Sequence, residues 1–247
     1  MNEWKILKIA DRVVTALERE QHPEVYVTTY EKHEAELVKG QWVDLTQFNN
    51  YDEFYAYCLK INSDKPDPSI RYLDAHNVPD VYYDERNETL SADVFDYIKV
   101  IQNHDKDAVD AVIGNDYSLK QAEHASIYKG CRSMRDVAMT IAADNEERIS
   151  DKAWRYSFDY RRYGLDSLID QTDSEDNEYA NMSDEEAGYE MVKNEYGDLS
   201  HMGIETVKQY VDYDKLGEWL DDNGEWIKYE DGYVEINNDF DEGNQNE

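Results

Sequence analysis

Basic residues are scarce in this chain. Lysine and arginine together number 25 against 57 aspartates and glutamates in 247 residues, a formal net charge of -32. Free nucleic acid and anionic membrane both repel such a chain, so neither is expected as a direct partner. Cysteine is scarcer still. Cys58 and Cys131 form no CxxC pair and no disulfide framework. Free thiols in a reducing compartment are the simplest account, and a cytoplasmic location is expected. Long apolar runs are missing as well. The start, MNEWKILKIADRVVTALERE, carries charges throughout its apolar positions and reads as neither a signal peptide nor a membrane span.

Catalytic signatures are also wanting. There is no HExxH, no GxSxG and no Walker loop, and His22, His33, His76, His104, His124 and His201 are scattered. Carboxylates are so common that some pair must suit acid–base geometry, and no apolar flank singles one out. The stretch DQTDSEDNEYANMSDEE (170 to 186) fails as a calcium loop, with Thr172, Ser174 and Glu175 where acids and a glycine are needed. No enzyme, cofactor or metal centre is expected.

Aromatic residues are plentiful: 13% of the chain, including 21 tyrosines. Acidic disordered chains are poor in aromatics, so most of this one is expected to fold. Tyrosine suits small domains, packing its ring inward while its hydroxyl reaches water. VYVTTY (25 to 30), QWVDL (41 to 45) and SIRYLDA (69 to 75) read as strands, and NYDEFYAYCLKI (50 to 61) reads as a helix. Residues 90 to 113 are helical in pattern. Ser118 with Gln121, and more strongly Ser183 with Glu186, read as capping boxes, and Ser133 reads as a cap. WIKYEDGYVEI is a hairpin signal with Asp231–Gly232 as the favoured turn pair. The expected class is α+β, built from several small domains in an elongated, curved body. Its expected divisions are a helical extension (1–22), an α+β domain (23–88), a mainly helical middle domain (89–164), an acidic α+β domain (165–237) and a tail (238–247).

RYSFDYRRYG (155 to 164) echoes KQYVDYDKLG (208 to 217) at an offset of 53, with Asp159 on Asp212, Tyr160 on Tyr213 and Gly164 on Gly217. At that offset Ala138 and Met139 fall on Met191 and Val192. A duplicated helical unit is the reading.

Acids crowd the second half. Asp166, Asp170, Asp173, Glu175, Asp176, Glu178, Asp184, Glu185, Glu186, Glu190, Glu195 and Asp198 form one run, in which Lys193 is the single base after Arg162. Asp212, Asp214, Glu218, Asp221, Asp222, Glu225, Glu230, Asp231 and Glu235 continue it. Trp42, Tyr210, Tyr213, Trp219, Trp226 and Tyr233 are the expected core aromatics. Solubility, or a salt-adapted composition, would account for a high charge. A strongly basic partner is the functional reading. Duplex DNA carries one charge per roughly 1.7 Å of axis, so the net charge matches about 54 Å, or roughly 16 base pairs. Ordered carboxylates could thus occupy the phosphate sites of a DNA-binding enzyme.

VYVTTYEKHEAELVKGQWVDL (25 to 45) resembles the opening of the ArdA-type antirestriction proteins, with Glu36, Leu37, Gly40, Trp42 and Asp44 in an EL-x-G-x-W-x-D-like pattern carrying one extra residue before the glycine. SIRYLDAHNVP (69 to 79), HASIYKGCRSMRDVAMTIAADN (124 to 145), YVDYDKLGEWL (210 to 220) and GYVEI (232 to 236) are similar to that family's later segments. The resemblance implies three small domains in a thin curved body. It also implies a head-to-head homodimer imitating bent duplex DNA. The implied partner is a type I restriction–modification enzyme, whose DNA groove between specificity and modification subunits would be occupied. Restriction, and often modification, would be blocked in a bacterial host carrying a phage or conjugative element. The helix at 4 to 20 and the 53-residue echo depart from the pattern, and no glutamate-rich antirestriction segment is located. The alternative reading is an acidic adaptor or chaperone for basic DNA-associated proteins.

Overall fold

The computed structural model describes residues 22–30, 40–63, 66–169, 179 and 181–238. The expected N-terminal helix, most of the C-terminal tail, and Asp170, Asp173, Glu175, Asp176 and Glu178 lie outside the described residues. The fold is α+β, and the chain divides into two units, 1–123 and 124–247. No described helix is long and apolar enough to cross a membrane.

In the first unit, β1 (Glu24–Thr29) is the middle strand between β2 (Gln41–Asp44) and β3 (Ile70–His76), antiparallel to both. Alternation along β1 sends Val25 and Val27 inward. Helix α1 (Tyr51–Ile61) starts where the Asn50 side chain accepts from the Glu53 amide. It buries Phe54 and Cys58, four residues apart on one face. Phe54 lies 5.7 Å from the Tyr72 ring and 5.8 Å from Phe95. Burial pushes the Cys58 thiol up to about 12, so this cysteine is a packing residue rather than a nucleophile. A short hairpin, β4 (Tyr83–Asp84) and β5 (Thr89–Leu90), is followed by α2 (Val94–Ile101), α3 (Lys106–Gly114) and α4 (Leu119–His124). The Ser118–Gln121 box at the start of α4 is formed, with Ser118 N donating to Gln121 Oε1 at 3.0 Å and Gln121 N to Ser118 Oγ at 3.2 Å.

Trp42 is a correction. It was expected in the core, yet it is 38% exposed. Val43 takes the inward position of that strand, and Leu45 is buried just beyond its end, so the pleat turns Trp42 outward. There its ring stacks on His76 at 4.0 Å and meets Tyr26 edge-on at 5.5 Å.

The second unit joins a small sheet to two helical repeats. The sheet has the order β6-β8-β7: β6 (Ser126–Lys129), β8 (Gly232–Glu235) and β7 (Trp226–Tyr229). The hairpin is present, but its turn sits one residue earlier than expected. Tyr229 pairs with Gly232, so Glu230 and Asp231 make the loop, and neither has a positive φ. The type I′ reading is therefore corrected, because that turn needs positive φ at both central residues. Gly232 serves another purpose: a Cβ there would lie 2.2 Å from the Tyr128 carbonyl oxygen on β6.

The first repeat comprises α5 (Met134–Asp144), a 3-10 turn (Glu146–Arg148), α6 (Asp151–Ser157) and α7 (Tyr160–Ile169). The second comprises α8 (Asp184–Tyr196), a 3-10 turn (Leu199–His201), α9 (Ile204–Gln209) and α10 (Tyr213–Asn223). Element follows element in the same order. Both first helices open with a complete capping box, Ser133 with Asp136 and Ser183 with Glu186. Those pairs, and the buried Ile141 and Met191, correspond at an offset of 50. Three extra residues within 192–197, at the end of α8, raise the offset to 53 thereafter, so that Glu146–Arg148 corresponds to Leu199–His201. Thus Ala138 corresponds to Gly188 and Met139 to Tyr189, rather than to Met191 and Val192.

The repeats exchange partners. α7 packs on α8, and α10 packs on α5. Where the two repeats cross, Phe158 forms an antiparallel bridge with Val211. Asp159 N donates to Tyr210 O, and Asp212 N donates to Ser157 O, each at 2.8 Å. Exchanging the repeats converts one of these bonds into the other, so the bridge lies on an approximate twofold axis. One hydrophobic cluster spans both repeats, from Val137 and Trp154 to Val207 and Leu216. This shared core bears on where the two units divide. The division at 123/124 falls inside the expected middle domain (89–164), because α5, α6 and α7 need the second repeat to bury their apolar faces.

Candidate functional site

Residues 124–247 hold thirty-two acids against twelve bases, so -20 of the total charge belongs to the second unit. Within it the two repeats differ sharply. Residues 133–169 carry seven acids and six bases; residues 183–222 carry twelve acids and three bases. The first copy is near neutral and the second is at -9. At corresponding positions the first copy has Arg135, Lys152 and Arg161 where the second has Glu185, Glu205 and Asp214. At these three positions the first copy folds with a base where the second carries an acid.

Part of the difference is cross-repeat pairing. Arg155 meets Asp198 at 2.9 Å, Arg161 meets Asp184 at 3.6 Å, and Arg135 meets Asp214 at 3.6 Å. Lys208 returns the contact by pairing with Glu146. These pairs are largely exposed, and such pairs contribute about 0–1 kcal/mol each.

The sequence-selected carboxylates fall into three groups. Several are pinned by the backbone. Asp212 accepts from the amides of Asp214 and Lys215 at 3.0 and 3.3 Å, capping α10. Glu186 accepts from Ser183 N at 3.0 Å and Ser183 Oγ at 2.9 Å, and those bonds hold its carboxyl below the usual range. Asp198 accepts from Ser200 N at 3.1 Å, which with Arg155 lowers it too. A second group is partnered. Glu190 binds Lys193, Asp231 lies 3.5 Å from Lys129, and Tyr163 donates to Glu195 at 3.3 Å. Glu235 is drawn into the body, where Arg148 bridges it to the Tyr128 hydroxyl. A third group is exposed and makes no ion pair among the described residues: Asp166, Glu185, Glu218, Asp221, Asp222 and Glu230. Glu225 is exposed as well.

Of the expected core aromatics in this unit, Tyr210 is buried, and Tyr213, Trp219, Trp226 and Tyr233 are half-buried against the shared cluster. Trp226 Nε1 donates to Leu220 O at 2.7 Å, tying the hairpin to α10. Tyr229 is also buried. Sequence reading missed β6 as an element of this sheet. Its signal was the alternation in SIYK, too short to find without its partner β8 a hundred residues away. It also missed Tyr189, which no apolar stripe or motif marks.

The chain matches no protein-family model, no curated protein and no solved structure. Among the described residues no group of three or more histidine, cysteine, aspartate or glutamate side chains could hold a metal ion.

Proposed function

We propose that this protein is a non-enzymatic mimic of duplex DNA, whose ordered carboxylates occupy the phosphate sites of a basic groove. The carrying observation is the pair of repeats: one fold, present twice, near neutral once and at -9 once. A composition set by solubility or salt adaptation would fall on both copies. Charge placed on one copy marks a surface selected for what it touches. Helix caps fix several of these carboxylates, which lowers the ordering cost of binding. The target class follows from the resemblance: a type I restriction–modification enzyme, met in the bacterial cytoplasm by a homodimer of this chain.

The test compares clusters. Glu185→Gln, Glu218→Gln, Asp221→Asn and Asp222→Asn combined are expected to weaken binding to a type I methyltransferase core about tenfold or more, since each lost contact forfeits counterion release. Any one of them alone is expected to cost about twofold. A first-repeat set outside that run, Asp144→Asn, Glu147→Gln and Asp151→Asn, is expected to cost less per charge removed. Equal losses per charge from both sets would overturn the assignment to the second repeat. Abolition by a single neutral change would overturn the distributed surface. Equal affinity for an unrelated histone-like protein would favour the adaptor reading.

A further inference from the structure

The crossing of α7 and α8 leaves an open cleft of about 390 Å³ lined by Tyr160, Glu185, Glu186, Tyr189 and Glu190. The two rings stand 5.6 Å apart at 60°. Tyr189 is 52% exposed, and its hydroxyl has no hydrogen-bond partner among the described residues. Two of the glutamates are engaged, Glu186 with Ser183 and Glu190 with Lys193. Glu185 remains without a counterion among the described residues.

The other repeat supplies a comparison within the same molecule. There the position of Tyr189 is taken by Met139, 42% exposed, and those of Glu185, Glu186 and Glu190 by Arg135, Asp136 and Thr140. The fold thus tolerates a site without the second ring and without two of the three carboxylates. The aromatic wall and the carboxylates occur together only in the second copy.

We infer that the cleft between α7 and α8 receives an arginine side chain of the basic partner. A guanidinium lying on the Tyr189 face gains a cation–π contact while its edge pairs with Glu185. The planar fork suits both walls at once, whereas an ammonium serves mainly as a point charge. This inference rests on the reading of the acidic repeat as the partner-binding surface and adds a specific recognition element to it.

The test uses the full chain, with hexa-arginine and hexalysine peptides as probes, titrated at physiological salt. The unmodified protein is expected to prefer hexa-arginine. Tyr189→Ala is expected to weaken hexa-arginine about two- to fivefold, the size of one exposed cation–π contact, and to leave hexalysine within that error. Tyr189→Phe retains the ring and is expected to retain the preference. Met139→Ala, the matched change in the first repeat, is expected to alter neither. Unchanged hexa-arginine affinity in Tyr189→Ala, with the variant folded by circular dichroism, would overturn the inference. So would an equal loss in Met139→Ala. If the four-carboxylate variant loses both peptides while Tyr189→Ala loses neither, the acidic surface stands and the cleft fails. If Tyr189→Ala abolishes the arginine preference but the protein displaces no DNA from a methyltransferase, the cleft stands and the choice of target fails.

Discussion

At the scale of single residues, the close packing of α7 on α8 depends on two missing side chains. A Cβ on Gly188 would lie 1.9 Å from the Tyr160 carbonyl oxygen, and one on Gly164 would lie 2.3 Å from that of Asp184. These are backbone atoms of crossing helices, so no side-chain rotation relieves the clash. The corresponding site in the first repeat, Ala138, carries its Cβ fully buried, so the α5–α10 pair accommodates what α7–α8 cannot. Gly188→Ala is therefore expected to destabilise the protein by about 1–3 kcal/mol, the usual range for overpacking. Urea unfolding checks it; an unchanged midpoint would show that α7 and α8 can separate freely. The glycine at 164 was visible in the sequence echo, whereas Gly188 was not, because its counterpart is alanine.

Among the elements, the local ones were legible and the exchanged ones were not. Strands β1, β2 and β3, helix α1 and all three serine caps were readable because each is specified by neighbours in sequence: alternation, a four-residue stripe, or a Ser with an acid or Gln three residues on. The echo at 155–164 and 208–217 was readable for the same reason. Two things were hidden. Three residues inserted at the end of α8 shift the register of the preceding helices, so a single offset misaligned α5 with α8. The pairing of α7 with α8 and of α10 with α5 depends on contacts between repeats, which no local pattern records. For the candidate surface, the acids themselves were legible but their state was not. Asp212 as a cap, Glu235 under Arg148 and Glu185 with no ion pair among the described residues look alike as letters. The exchange has a measurable consequence. Each repeat's bridge amide, Asp159 or Asp212, is bonded to the other repeat, so neither opens without loosening both. Their hydrogen-exchange protection is expected to be alike and close to that of the whole second unit. Fast exchange at one and slow exchange at the other would show that the repeats open independently.

For the whole molecule, the dominant quantity is the net charge of -32, of which -20 lies in residues 124–247. So large a charge opposes compaction, and two shared features counter it: the common core of the repeats and the small sheet locked by Arg148. The carboxylates of the described residues are placed on that frame, as the proposed mimicry requires. The measurement that addresses the central claim most directly is displacement. A type I methyltransferase core is held with labelled target duplex at fixed physiological salt, and this protein is titrated in. The expected result is full release of the duplex near stoichiometric protein, with no binding of the protein to free DNA and little release by an equal charge of polyglutamate. Retention of the duplex by that enzyme while the protein remains folded, or equal release by polyglutamate, would contradict the account.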